Sequence, residues 1–273
     1  MVNREEIQVC ILRVAGTNCD AETKRACENS GMTAEIVHMN QLARNHRLLE
    51  YQMLIIPGGF SHGDYVRAGA IWAKQMLTKL GKDLERFMND ERPILGVCNG
   101  FQVLIEAGLL PQFNGITLFP EAALGTNIPM GYCCRWIYLT HENKGNCIFT
   151  SKIPQHSVVQ MPVAHAEGRF IFRKEKEKAH LEKLIESDQL VFRYCHQDGH
   201  IADGKYPENP NGSFSDIAGI CSPTGTVFGL MPHPERAYFG WELPSWTHCE
   251  KLPLSGDGRL IFESIAQHLA RKL

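Results

Sequence analysis

Cys98 has a glycine two residues before it and two residues after it, in the segment GVCNG at residues 96–100. An apolar segment, residues 93–97, precedes the cysteine, and residues 101–108 have the apolar spacing of a helix. This arrangement is typical of a nucleophile elbow, a sharp strand-to-helix turn that presents one reactive side chain. The N-terminus of the following helix favours the thiolate, which can attack an amide carbonyl. The segment therefore predicts a cysteine nucleophile, and the alternative is a buried core thiol.

A cysteine nucleophile needs a base, and two His-x-Glu pairs could supply one: His165 with Glu167, and His233 with Glu235. Residues two apart in an extended segment face the same side, so each glutamate could orient its own histidine. A proline stiffens the second pair, and the apolar segment before it predicts a strand that delivers His233 to a sheet edge. The residues favour the second pair and leave the first as an alternative.

Acyl transfer also needs N–H donors for the negative oxygen of the tetrahedral intermediate. The loss of one such donor costs about 2.7–4 kcal/mol of barrier stabilisation. The residue after the nucleophile, Asn99, supplies one backbone N–H. The segment PGG at residues 57–59 offers a second donor in Gly59, because a backbone without side chains can approach a substrate closely. The alternative for this segment is a turn that simply ends a strand.

The elements around these residues alternate between strand and helix in the first half of the chain. This pattern predicts an α/β fold with a mainly parallel central sheet flanked by helices. The predicted strands are residues 8–14, 33–39, 53–59 and 93–97, and the predicted helices are residues 19–31, 69–80 with a continuation over 83–88, and 101–108.

The second half predicts antiparallel additions to that sheet, because its strands are joined by turns. The predicted strands are residues 134–141, 157–165, 168–172, 190–195 and 214–231, the last with a hairpin turn at 222–226, and the predicted helices are residues 174–186 and 258–273. Neither repeats nor low-complexity linkers divide the chain. We expect a single domain over residues 1–273, in which residues 238–273 are a C-terminal extension ending in a helix.

Composition narrows the function classes. The chain has 273 residues, 44% hydrophobic and 21% charged, with a net charge of −2, which is typical of a soluble globular protein without a nucleic-acid or membrane surface. It has no pattern of an export signal, so we expect a cytoplasmic protein whose ten cysteines are reduced. The twelve histidines form no metal-binding motif, and we expect no metal site.

Several segments together resemble the class I (triad) glutamine amidotransferases, and specifically the family of glutaminase subunits of phosphoribosylformylglycinamidine synthase. They occur in that family's order and cover most of the chain. The segments are GTNCD (16–20), PGGFSHGDYVRAGAI (57–71), GVCNGFQVLIEAGLLP (96–111), PVAHAEGRF (162–170), NPNGS (209–213), DIAGI (216–220) and GLMPHPERA (229–237). The resemblance implies the flavodoxin-like fold of class I amidotransferases.

The resemblance also implies site roles. They belong to seven residues: the nucleophile Cys98, the general base and acid His233, its orienting partner Glu235, the oxyanion donors Gly59 and Asn99, and the glutamine contacts Gly58 and Gln102. It assigns the pair His165 and Glu167 to a different segment, which we expect to shape the site or a partner contact.

The implied activity is glutamine hydrolysis through a cysteine thioester. The ammonia would pass to a separate synthetase subunit that uses ATP and magnesium to convert formylglycinamide ribonucleotide to formylglycinamidine ribonucleotide, with or without a third small subunit. This chain has no P-loop, and we expect it to bind no cofactor itself. The alternatives are another cysteine hydrolase or glyoxalase-like enzyme of similar fold, and a silent glutamine-sensing regulatory subunit.

Overall fold

The structure is a computed structural model that describes residues 3–117, 119–249, 251 and 253–272. The strands are β1 (Gln8–Arg13), β2 (Thr33–His38), β3 (Met53–Ile56), β4 (Ile94–Val97), β5 (Ala123–Gly125), β6 (Cys133–His141), β7 (Val158–His165), β8 (Arg169–Ile171), β9 (Leu190–Cys195), β10 (Ile217–Cys221) and β11 (Val227–Leu230). The α-helices are α1 (Asp20–Asn29), α2 (Met39–Asn45), α3 (Ala70–Asn89), α4 (Asn99–Glu106), α5 (Glu177–Glu186) and α6 (Arg259–Lys272).

A nine-stranded sheet runs through this part of the chain in the order β2-β1-β3-β4-β11-β10-β9-β6-β7. Neighbouring strands from β2 to β11 are parallel. From β11 to β7 they are antiparallel. The predicted fold class is confirmed, since the first-half strands are parallel and the antiparallel strands come from the second half. A smaller antiparallel pair, β5 and β8, stands apart from this sheet.

The last strand, β11, is the exception to that division, because it inserts beside β4 in the parallel part of the sheet. Its last residue, Leu230, lies in register with Val97, the last residue of β4. A hairpin over residues 222–226 reverses the chain between β10 and β11, as predicted. The carboxyl ends of two strands therefore meet at one edge, because Val97 is paired with Leu230, 133 positions later in the chain.

The helices present apolar stripes to the core. On α3 the buried side chains include Trp72, Met76, Leu80 and Phe87, which recur at helical spacing. On α4 every residue except the last is buried, and this helix packs on β3, β4 and β11. No helix among the described residues is long and apolar enough to cross a membrane. The ten cysteines are all free thiols.

Some element bounds differ from those expected. The strand predicted over residues 53–59 ends at Ile56, and Gly59 of the following PGG segment forms an isolated antiparallel bridge with Thr17. The pattern over residues 69–88 forms one continuous helix, α3. The short elements α2 and β5 were not predicted, since three to seven residues carry too little periodicity. Residues 1–2 of the predicted domain and residue 273 of the predicted last helix lie outside the described residues.

Candidate active site

Cys98 occupies the sharp turn between β4 and α4. Its backbone has φ 51° and ψ −106°, which a residue with a side chain rarely adopts and which costs about 1–3 kcal/mol. The neighbouring strand supports this conformation, because the Cys98 N–H donates to the carbonyl oxygen of Leu230 at 2.8 Å. The Cys98 carbonyl accepts from the N–H of Gln102 at 3.1 Å, which starts the helix. The side chain is only 4% exposed.

The flanking glycines of the elbow are required by close packing. A Cβ at Gly96 would lie 2.5 Å from Leu104 Cδ1 of α4. A Cβ at Gly100 would overlap the carbonyl oxygen of Ile56 at the end of β3. The two glycines therefore let α4 pack against β3 and β4 closely enough to fix the position of Cys98.

His233 and Glu235 follow β11 at the same edge of the sheet. His233 Nδ1 lies 2.6 Å from Glu235 Oε1, and its backbone N–H donates to the carbonyl of Pro162 on β7 at 2.8 Å. A carboxylate only accepts, so Nδ1 carries the proton. Nε2 is buried and has no hydrogen-bond partner among the described residues, and Cys98 is near enough to affect the ionisation of the ring. Burial lowers the pKa of His233, but Glu235 and then Cys98 raise it, and the balance leaves the pKa well above its usual value.

Cys19 is a second buried thiol beside this histidine. Its Sγ lies 3.9 Å from His233 Nδ1 and accepts from Arg236 Nη2 at 3.2 Å. Reasoning from spacing alone missed Cys19; the signal was the segment GTNCD, which contributed only to the family resemblance. The Cys19 sulfur, His233 Nδ1 and a Glu235 oxygen lie within 4.8 Å of one another, close enough to be considered as ligands of one metal ion. The 2.6 Å separation of Nδ1 and Oε1 is instead that of a hydrogen bond between these two groups.

The PGG segment after β3 packs against these groups. A Cβ at Gly58 would lie 2.8 Å from His233 Cε1 and 3.0 Å from Cys19 Sγ, so this glycine makes room for the imidazole. Gly59 has φ 153°, and a Cβ there would lie 2.6 Å from the carbonyl oxygen of Gly16. Within the described residues, neither the Gly59 N–H nor the Asn99 N–H donates a hydrogen bond. Both backbone donors are thus available beside the elbow.

The side chain of Asn99 ties this loop to the helix. Its Oδ1 accepts from the Ser61 N–H at 3.2 Å, and its Nδ2 donates to Gln102 Oε1 at 2.8 Å. Gln102 Nε2 in turn donates to the carbonyl of Glu167 at 2.5 Å. Both ends of the Gln102 amide are therefore engaged within the protein. A contact between Gln102 and glutamine stays a prediction, and the second N–H and the second lone pair of the amide are what remain for it.

The competing pair, His165 and Glu167, is not a pair in the structure. Glu167 Oε2 accepts from the N–H of Ala68 at 3.0 Å, whereas His165 Nδ1 faces Asn127 Oδ1 at 3.2 Å. Burial, and then the charge of His233, lowers the pKa of His165 to about 3. Of the two His-x-Glu segments, only the one at His233 joins an imidazole to a carboxylate.

The sequence is similar to those of known glutamine amidotransferases. The model of the CobB/CobQ-like glutamine amidotransferase domain matches residues 6–269. The chain is 45% identical to the phosphoribosylformylglycinamidine synthase subunit PurQ of Archaeoglobus fulgidus, over 99% of this chain and 100% of the relative. It is 40% identical to subunit PurQ of Methanococcus maripaludis, over 96% of this chain and 93% of the relative.

Two solved structures resemble this chain in fold. The chain resembles a chain of the PurLQS structure from Thermotoga maritima with a TM-score of 0.72 and 30% identity, over 97% of this chain and 99% of that chain. The glutaminase domain of Trypanosoma brucei CTPS shares the fold, with a TM-score of 0.52 and 12% identity over 96% and 94% of the two chains. The extension over residues 238–269 lies inside the family match. The chain therefore belongs to the glutamine amidotransferases, in the family of PurQ subunits of phosphoribosylformylglycinamidine synthase.

Proposed function

We propose that this chain releases ammonia from glutamine with Cys98 as nucleophile, His233 as general base and acid, and Glu235 as its orienting partner. The observation that carries the proposal is the meeting of the Cys98 elbow with the hydrogen-bonded pair His233–Glu235 at adjacent strand ends. A nucleophile, a base and a group that orients the base form the triad arrangement of acyl transfer.

In the first half of the reaction, the Cys98 sulfur forms a bond to the side-chain carbonyl carbon of glutamine. The negative oxygen accepts from the N–H groups of Gly59 and Asn99. His233 gives its proton to the nitrogen, the carbon–nitrogen bond breaks, and ammonia leaves behind a thioester. In the second half, water gives a proton to His233 and attacks the thioester, and the carbon–sulfur bond breaks to release glutamate. Gly58 and Gln102 complete the glutamine-binding side of the site.

The relatives support a proposal for the destination of the ammonia. Those relatives are subunits of phosphoribosylformylglycinamidine synthase, and the Thermotoga structure is a PurLQS assembly. We propose that this chain binds a synthetase subunit and a third small subunit, and that the synthetase uses ATP and magnesium to convert formylglycinamide ribonucleotide to the amidine with this ammonia. This chain would then hold neither cofactor nor metal, and its reaction with glutamine would take place in the cytoplasm.

The test is glutamate release by the chain reconstituted with its synthetase partner. Cys98→Ala is expected to abolish release, because no sulfur remains to form the thioester. Cys249→Ala is the matched control, since Cys249 is exposed and belongs to none of the proposed site, and it should keep the wild-type rate. Glutamate release by Cys98→Ala at the wild-type rate would refute the proposal.

Covalent labelling separates the remaining alternatives. A glutamine-mimicking electrophile should label Cys98, and glutamine should block the labelling. Labelling that glutamine does not block would indicate another cysteine hydrolase. Blocked labelling without ammonia release in the complex would indicate a silent glutamine-binding subunit.

A further inference from the structure

A second buried histidine, His165, ends the strand that lies against both the nucleophile and the base. The carbonyl of Ala164, one residue earlier on β7, accepts from Cys98 Sγ at 3.6 Å. Two residues before that, the carbonyl of Pro162 accepts the backbone N–H of His233 at 2.8 Å. His165 is also close enough to His233 for the charge of that residue to affect its ionisation. The proposed mechanism gives this imidazole no role.

The hydrogen bonds of Asn127 determine which nitrogen of His165 carries the proton. Asn127 Nδ2 donates to the carbonyls of His165 at 2.9 Å and Gly131 at 3.1 Å, which fixes the orientation of the amide. Its Oδ1 therefore faces the other way, where it accepts from the N–H of Gly168 at 2.9 Å and lies 3.2 Å from His165 Nδ1. An amide oxygen only accepts, so Nδ1 is the donor and Nε2 holds a lone pair.

That lone pair has no partner among the described residues, although His165 is only 3% exposed. The ring lies directly on the backbone of Gly168, where any Cβ would overlap it, so it is held in place. A buried acceptor without a donor is costly and calls for an explanation. The pKa of about 3 keeps this imidazole neutral at physiological pH, so Nε2 accepts there and does not donate.

Resting on the proposed function, we propose that His165 Nε2 accepts a hydrogen bond from the reacting nitrogen of glutamine, first as the amide NH₂ and then as ammonia. The carbonyl oxygen of the substrate needs donors, which the N–H groups of Gly59 and Asn99 supply, whereas its nitrogen brings N–H donors and needs an acceptor. His233 provides the proton that the nitrogen takes up. His165 holds the nitrogen by a lone pair and gives it no second proton, so the product leaves as neutral ammonia, the nucleophilic form.

The experiment compares two substrates in the reconstituted complex, glutamine and the γ-methyl ester of glutamate. Both acylate Cys98, but the leaving group of the ester has no N–H. We expect His165→Asn, which keeps a donor toward Asn127 and loses the acceptor at the Nε2 position, to lower kcat/KM for glutamine about five- to tenfold. The same variant should leave kcat/KM for the ester within about twofold, because the leaving oxygen of the ester has no N–H to donate to His165.

Two further variants make the result decisive. His165→Gln places an amide oxygen near the position of Nε2 and should recover most of the preference for glutamine. His180→Phe is a control, since His180 is another buried histidine with an unpartnered nitrogen, packed between Phe113 and Phe172, and it should change neither rate. An equal loss with both substrates, including complete loss, would show a purely structural role and overturn the inference. If the wild type cleaved neither substrate, the proposed function itself would fail.

Discussion

At the residue scale, two buried histidines in similar His-x-Glu segments have opposite properties. His233 faces a carboxylate and its pKa is raised, whereas His165 faces the amide of Asn127 and its pKa is lowered to about 3. Both imidazoles are buried, so the neighbouring charges decide the difference: Glu235 and Cys98 raise the pKa of His233, and the charge of His233 lowers that of His165. Environments that push two pKa values apart are how a site divides acid and acceptor roles between similar groups.

The carboxylate of Glu235 should set the pH range of activity. Glu235 raises the pKa of His233, so the imidazolium that we propose as the proton donor to the leaving nitrogen persists to higher pH. In Glu235→Gln that pKa falls, and the basic limb of kcat/KM for glutamine should move to lower pH. We also expect kcat/KM to fall about 10²–10⁴-fold, since His233 loses its orienting charge.

The matched control for this variant is Glu167→Gln, in the other His-x-Glu segment. The Glu167 carboxylate accepts from the Ala68 N–H and does not contact either imidazole, so the limb should keep its position. A basic limb that stays in place in Glu235→Gln would contradict the assigned role of the carboxylate.

At the element scale, the contact between α4 and the end of β3 positions the elbow. The helix is buried along almost its whole length, and Gly100 brings its first turn against the Ile56 carbonyl. The sequence pattern around Cys98 predicted a strand, a turn and a helix, and the structure confirms these elements. The sequence pattern could not predict that Gly100 serves to pack α4 on Ile56 of β3, 44 residues earlier in the chain, because that contact is not local.

Two glycine variants test this contact by opposite effects. Gly100→Ala should lower the free energy of unfolding by about 1–3 kcal/mol, because its Cβ overlaps backbone that cannot move away, and should also reduce glutamine hydrolysis. Gly81→Ala, in the middle of α3 with nothing within 4 Å of the added Cβ, should raise the free energy of unfolding by about 0.5–1 kcal/mol. Urea unfolding measures both, and equal effects of the two substitutions would refute the packing argument.

At the scale of the whole molecule, the C-terminal segment holds the turn that carries His233 and Glu235. Gly258 N–H donates to the carbonyl of Ala237 at 2.9 Å, and Asp257 Oδ2 accepts from the N–H of Gln160 on β7 at 2.8 Å. Phe262 of α6 is fully buried against Tyr238. We propose that residues 238–273 belong to the same folding unit as the site.

The proposal of one domain predicts how the molecule unfolds. Phe262→Ala should lower the free energy of unfolding by about 3–5 kcal/mol, because it leaves a cavity between α6 and the site. Fluorescence and circular dichroism should still report one cooperative transition. Arg271→Ala, at the exposed end of α6, should have little effect. Two separate transitions would show that the extension is an independent unit.

The sequence by itself determined the local features: the elbow at Cys98, the alternation of strands and helices, the PGG segment after β3 and the two His-x-Glu segments. Their signals lie within a few residues of each other, where backbone sterics and apolar periodicity act. Only the tertiary structure decided that β11 lies beside β4, which brings His233 to Cys98, and that His165 pairs with Asn127 and not with Glu167. These contacts join residues 38 to 135 positions apart in the chain, and packing of the whole sheet selects them.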